Sequence, residues 1–524
     1  MSHTATHDQG ATTAPNAYRL LWAGFMAILA SGVGFSVRGG ILGQWAEQFG
    51  FTMTELGAIT GGGLTGFGIV IILSSLIADK VGYGRLMVAA FVCHFLSAIM
   101  TLGTPIAFQS GGKNAAFYCL SISMFIFAIG NGLCEAVVNP LTATLFPKNK
   151  THYLNILHAG WPAGLVIGGL AAYFMGAQVD GGEIIRKAVD WKIQMSLFLI
   201  PVVIYGVMLL GQPFPRSEAN AAGATLGSML STLVAPLMLI LIVIHMMVGY
   251  VELGTDSWIA NITGSIMNDP ARGIALMVYT STLMFILRFC AGPIVHRISP
   301  LGLLFASAIL GAIGLTLLSN ASTIQACVIA ATVYAAGKTF LWPTMLGVAS
   351  EQFPKGGAIS IGVLGGVGML SAGLLGGPGI GFKQDYNASA KLKAEAPETF
   401  ERYKAANENR FLTYSTIGLD GSKVKTLEDD GKDLAKGIEN LQATNKSDKK
   451  LSELDAWWQS SKEFSANDKP LVQDAGVYGG RMALKLTAYI PTVMAILYLL
   501  LLLYFRTQGG YRPKTVDETS AATH

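Results

Sequence analysis

Apolar stretches of bilayer length recur along the chain, separated by short polar gaps. They cover 18–46, 54–78, 86–108, 116–144, 153–176 and 193–212, then 228–262, 272–296, 300–320, 323–350, 357–381 and 482–505. Crossing a bilayer takes about 20 mostly apolar residues, so the pattern predicts twelve transmembrane helices, numbered here as spans 1–12. A polar connector rich in Ala, Gly and Ser (213–226) divides them into two sets of six. The fold class predicted is an all-α membrane protein. One long break interrupts the pattern, at 382–477 between spans 11 and 12. Its stretches 391–409 and 451–464 have helical composition, with Gly, Asn and Asp between them. A small helical cap or hairpin is expected there, with Trp457-Trp458 forming its own core in preference to packing on the spans.

Composition agrees. The chain is 52% hydrophobic and 13% charged, against about 25% charged in soluble proteins, and its mean hydropathy is +0.48. Close to half of the charged residues fall in 382–477, where basic and acidic side chains nearly cancel, so this segment makes a poor electrostatic funnel. The net charge of +4 gives no indication of nucleic-acid binding. The five cysteines all lie in apolar stretches with no metal-ligand spacing, and no metal or cofactor is expected. No P-loop or nucleophile constellation points to an enzyme. The polar tail 1–17 leads into an apolar run too long for a signal-peptide core.

Short-loop cations set the expected orientation. Arg19, Lys80, Arg85, Lys148, Lys150, Arg216, Arg297, Lys355 and Arg506 collect on one side, which the positive-inside rule assigns to the cytoplasm. The expected domains are a cytoplasmic tail (1–17), a six-helix half (18–212), a cytoplasmic linker (213–227) and helices 7–11 of the second half (228–381). An extracytoplasmic helical insertion (382–477), helix 12 (478–506) and a second cytoplasmic tail (507–524) complete the chain, placed in the cell membrane.

Two loops carry related motifs at equivalent places in the halves. The first is Asp79-Lys80-Val81-Gly82-Tyr83-Gly84-Arg85; the second is Gly292-Pro293-Ile294-Val295-His296-Arg297. They resemble the helix 2–3 and helix 8–9 loop signature of the major facilitator superfamily: Gly, three residues, Asp, a cation, any residue, Gly, then basic residues. Ser75 stands at the leading Gly, Gly84 displaces Arg85, and His296 replaces the second Asp. The resemblance implies the major facilitator fold, alternating access, and substrate held between the halves near the midplane. It also implies a conformational lock that includes Asp79, Lys80, Gly82, Arg85, Gly292 and Arg297, with Arg288 just ahead of the second loop. A carboxylate and cations at helix ends can pair in one conformation and release in the other.

Ionisable residues inside spans cost roughly 2.5–3.5 kcal/mol even on lenient scales, so each asks for a reason. In the superfamily helices 1, 4, 7 and 10 line the cavity, and here those spans hold Arg38, Glu135, Glu252 with Asp256, and Lys338. Aligning Asn139-Pro140 with Trp342-Pro343 sets Glu135 against Lys338, which predicts a pair across the cavity. Two cations against three carboxylates leave one carboxylate free to take up and release a proton. Glu252 and Asp256, one turn apart, are candidates for that role. His158 and Trp161 open span 5 beside Asn155; substrate or proton contact and an interfacial histidine both fit. His94 and His245 read as structural.

The segment 131–140 (NGLCEAVVNP), followed by Leu154-Asn155-Ile156-Leu157-His158, resembles helices 4–5 of the fucose permease group of proton–sugar symporters. Tyr250-Val251-Glu252 through Trp258 is similar to that group's helix 7. The resemblance implies a proton-linked Glu135 and a sugar taken up with protons. The group's helix 1 carboxylate is missing, with Arg38 in its neighbourhood. The substrate-binding or proton-coupling set expected is Arg38, Glu135, Asn139, His158, Trp161, Glu252, Asp256, Lys338 and Trp342. Two alternatives stay open: an organic-anion transporter of the same superfamily using Arg38, and a transporter-like solute sensor. The partners expected are a small-molecule substrate, protons and the lipid bilayer, with the chain acting as a monomer.

Overall fold

The computed structural model describes residues 14–516 and 518, apart from 52, 62, 181–182 and 444–447. Most of the expected tail 1–17 and the end of the tail 507–524 therefore lie outside the described residues. Among the described residues, eleven helices are long and apolar enough to cross a membrane. One of them, Tyr83–Leu145, is 63 residues long and covers both span 3 and span 4. It does not run straight. Gly112 adopts φ 65°, a left-handed value open to glycine, and the chain folds back there. Thr101 on one arm donates to Ser123 on the other at 3.1 Å, and the Cys119 thiol donates to the Met100 carbonyl.

Local chemistry fixes several helix starts. Asp269 accepts from the amides of Ala271 and Arg272 ahead of Pro270, which needs no donor. Thr323 and Asp190 cap Ile324–Lys338 and Trp191–Ser196 in the same way. The linker is less open than its composition indicates: Ser217 and Thr225 cap the short helices Glu218–Ala221 and Leu226–Ser231.

Large apolar side chains are exposed at helical spacing, as at Ile69, Leu73 and Ile77, or Val88, Val92, Phe95 and Ile99. Such stripes suit lipid and would be costly in water. Inside the bundle, small residues let backbones approach. Spans 7 and 11 each widen into a π-turn, at Tyr250–Gly254 and Ala372–Gly376. These meet where a Cβ on Gly254 would sit 2.7 Å from the Gly376 Cα. Any side chain there would force the helices apart.

Between spans 11 and 12 the structure departs from the expected boundaries. The span 11 helix continues to Glu395, and a helix from Ser465 leads into span 12. On these two stalks sits a body that includes a hairpin, Asn409–Phe411 against Tyr414–Thr416, as well as helices. The expectation of a purely helical insertion is corrected by those strands: a Leu412-Thr413 turn, with Leu412 at φ 54°, reverses the chain. Phe400, Tyr403, Leu427 and Trp458 pack there with Leu392 and Val472 from the stalks. Asp468 clamps it, accepting from Arg402 at 2.7 and 2.8 Å and from Thr399. Trp458 belongs to this core, and Trp457 lies edge-on to Tyr403 and donates to the Arg402 carbonyl.

Candidate functional site

Buried ionisable residues gather where the two halves of the chain meet. On span 7, Glu252 lies in the π-turn and is 2% exposed. Its Oε1 accepts from Arg288 Nη2 at 2.9 Å. Arg288 also donates to the Thr339 carbonyl at 3.0 Å and to the His158 carbonyl. The last contact crosses from span 8 to span 5, so one guanidinium ties both halves together. One turn beyond Glu252, Asp256 pairs with Lys338, whose ammonium also faces the Tyr334 ring. Tyr334 donates to the Val251 carbonyl at 2.6 Å, holding the widened turn in place.

The first half contributes a different group. Asn139 Nδ2 donates to Glu135 Oε2 at 2.6 Å, and its Oδ1 lies 2.8 Å from His158 Nε2. Spacing of i, i+4 puts Glu135 and Asn139 on one face. Glu135 and His158 themselves stand 4.0 Å apart. The chain of contacts therefore runs Glu135, Asn139, His158, then through the His158 backbone to Arg288 and Glu252.

Several sequence expectations change. Lys338 pairs with Asp256 on its own half, so the expected Glu135–Lys338 pair is absent from this conformation. Equivalent positions on two walls do not bring side chains together when a nearer carboxylate is available. Arg38 does not face the helix 7 carboxylates. It is buried within the first half, donating to Ser97 Oγ at 2.8 Å, with Phe127 and Phe198 against its guanidinium. Arg288, expected as part of the lock, stands in the central cluster. Its signal was present, since an arginine inside a span carries the same cost that singled out the other charges. The three tryptophans are spread out. Trp161 packs on Phe35, Trp342 on His245, and Trp258 donates to the Gly377 carbonyl at 2.8 Å. His94 is held on both ring nitrogens, by Tyr205 and Asn131.

Of the residues expected to form the lock, Asp79 lies near the linker. Asp79 sits by Ser217 and Tyr83, close to the first residue of the Gly357–Ser371 helix, and its carbonyl accepts from Asn220. A carboxylate at a helix N-terminus is favoured. Gly82 takes φ 94°; Lys80, Arg85 and Arg297 are exposed. The Gly292 amide donates to His152 Nδ1 at 3.1 Å. That bond is one of several sealing the halves on this side. Thr151 donates to Glu351 Oε1 at 2.8 Å, and Asn155 donates to Thr344. The C-terminal tail joins them: Tyr511 donates to Glu351 Oε2 at 2.6 Å, and Gln352 donates to the Arg512 carbonyl.

No curated protein sequence matches the chain, but solved structures do. The E. coli fucose:proton symporter FucP aligns with TM-score 0.57 at 17% identity, over 71% of this chain and 93% of that one. A bacterial homologue of the human lysosomal transporter Spinster, in an inward-facing, unoccupied conformation, gives 0.60 at 13% identity, over 93% and 97%. A D-xylose–proton symporter gives 0.54 at 15%, over 68% and 88%. At such identities the likeness establishes the fold. The sequence profile described as Major Facilitator Superfamily matches residues 24–377, well over half of the chain. The protein is a multi-pass membrane protein that belongs to the Major Facilitator Superfamily, whose members are transporters.

Proposed function

We propose that the protein carries a small hydroxyl-rich solute, a sugar, across the cell membrane together with protons, by alternating access between its two six-helix halves. The folded-back helix Tyr83–Leu145 counts as two spans, giving twelve, with both termini in the cytoplasm and the insertion outside. Short-loop cations support that orientation. The bonds on the linker side then form a closed inner gate.

One observation carries the proton reading. Of the three carboxylates in the central cluster, Glu252 has Arg288 and Asp256 has Lys338, while Glu135, among the described residues, has Asn139 and His158 and no fixed cation. A carboxylate with no fixed cation is the group able to change protonation without stranding a partner. Its chain of contacts to Arg288 offers a route by which a proton on Glu135 alters the bond between the halves. The sugar reading draws on the fucose and xylose symporters among the structural neighbours, and on Asn and Glu side chains that match hydroxyls. The packing of Arg38 inside one half lends no support to an organic-anion site.

Transport in proteoliposomes tests the reading. Glu135→Gln is expected to abolish sugar accumulation driven by a proton gradient while sparing counterflow. Uphill accumulation by that variant would remove Glu135 from coupling. A solute sensor would bind without exchange, so absence of counterflow by the unaltered protein would favour that alternative.

A further inference from the structure

Beneath the insertion lies a cavity of about 960 Å³, near the upper end of the roughly 300–1,000 Å³ typical of small-molecule pockets. Its floor is the far end of span 7 with the turn at Asn268. The stalks from spans 11 and 12 form its walls, and the strand Asn409–Phe411 covers it. Every lining residue falls between 258 and 480, so among the described residues the first half contributes none. A site built within one half moves as part of that half and keeps its shape while the halves rock. It is therefore separate from the transport site, which must open and close between them.

The lining has a consistent chemistry. Phe382 and Phe411 stand 5.9 Å apart with rings inclined by 31°. Trp258 adds a third flat face, its indole held by the bond to Gly377. Gln384 Nε2 is buried without a protein partner among the described residues. Asp385 Oδ2 accepts from Asn409 at 2.8 Å and keeps acceptor capacity to spare. Arg410 is engaged by Glu408, and Asp269 by Arg272. Burial pushes the Glu428 carboxyl above its ordinary value, which weakens it as a site for a cation. A cationic ligand would use the carboxylates and leave the amides unmatched. Hydroxyl groups both donate and accept, and so match amides and carboxylates alike, while C–H faces of sugar rings lie on aromatic rings.

We propose that the insertion and the second half together form a second saccharide-binding site, distinct from the transport site, which takes neutral mono- or oligosaccharides. It rests on the sugar reading of the transporter, and it assigns the insertion the role of concentrating or sensing solute at the mouth.

Calorimetric titration of the full-length protein in nanodiscs tests this, with L-fucose, D-xylose, maltose and maltotriose as probes. At least one probe is expected to bind at two sites per chain. Phe411→Ala and Asp385→Asn are each expected to weaken one site by about tenfold, while Glu135→Gln leaves that site intact. Counterflow of the same sugar is expected to persist in both insertion variants. A probe that is transported but binds at a single site, unchanged in both variants, would overturn the second site and leave the transport reading standing. If no probe is transported or bound, the sugar reading fails and this site with it. Binding of choline in place of the sugars, lost in Asp385→Asn, would also overturn the proposal.

Discussion

The two halves bury polar groups in different ways. The second half holds four ionisable side chains in its central cluster, and each has a partner on the same half: Glu252 with Arg288, Asp256 with Lys338. The first half keeps its buried Arg38 and its cluster carboxylate apart. Arg38 sits among Ser97, Phe127 and Phe198, whereas Glu135 lies in a neutral network with Asn139 and His158. A second neutral network links Ser31, Asn131, His94 and Tyr205. Paired charges make a rigid wall, because breaking one pair leaves a bare charge in low dielectric. Neutral networks tolerate the arrival or loss of a proton at less cost. The asymmetry implies that the second half anchors the cluster and the first half responds.

The largest effect expected is at Arg288. Arg288→Met leaves Glu252 buried without a cation and two carbonyls without a donor, a loss of about 3–5 kcal/mol measurable by thermal unfolding in detergent. Adding Glu252→Gln should recover most of it. Equal stability of the single and double variants would mean that the pair anchors nothing. Lys338→Met should cost less, about 2–3 kcal/mol, because the Asp256 side chain is 16% exposed and water can reach it. Exchanging Asp256 and Lys338 should restore stability, since both side chains stay on one half. In the first half, Asn139→Ala removes the bridge between Glu135 and His158, with a cost of about 1–2 kcal/mol. Its more telling readout is transport: counterflow persists while the proton-driven component falls.

Much of this fold was legible in the sequence, because span length and polar gaps follow directly from the bilayer. The insertion was legible as a separate body from its charge density, and Trp458 as part of its core. The stalks were not, since a helix leaving the membrane changes composition without changing conformation. At the site, the sequence marked which residues carry unusual charges but not which of them meet. Spacing along one helix gives a face, yet partner choice depends on the rotation of every helix around it. Arg38 shows the difficulty: Ala17–Phe49 is apolar almost all round, so no polar stripe reveals where position 38 points. Arg288 reads as part of the lock because a loop motif lies a few residues beyond it, although the structure buries it to 1% exposure. The π-turn that carries Glu252 left only glycines as a trace.

The smallest effect expected lies at the seam where the halves meet. Glu351 accepts from Thr151 of the first half through one oxygen and from Tyr511 of the tail through the other. The tail thereby holds the carboxylate in the orientation that closes the linker side. Tyr511→Phe removes one hydrogen bond, worth about 1 kcal/mol, and should shift the closed–open balance roughly fivefold toward open. Spin labels at Lys148→Cys and His296→Cys, one on each half, would report a larger population of long distances. Burial, then the neighbouring Glu351 charge, raises the Tyr511 phenol well above its ordinary value. The contact is therefore fully present below the ordinary phenol range of about 10 and is lost as pH rises beyond it through the raised value. Any alkaline opening that arises from this phenol should vanish in Tyr511→Phe. If removing the hydroxyl leaves the distribution unchanged, the Tyr511 bond does not help to close the seam, and the bonds between the halves, Thr151–Glu351 and Asn155–Thr344 among them, hold it without that hydroxyl.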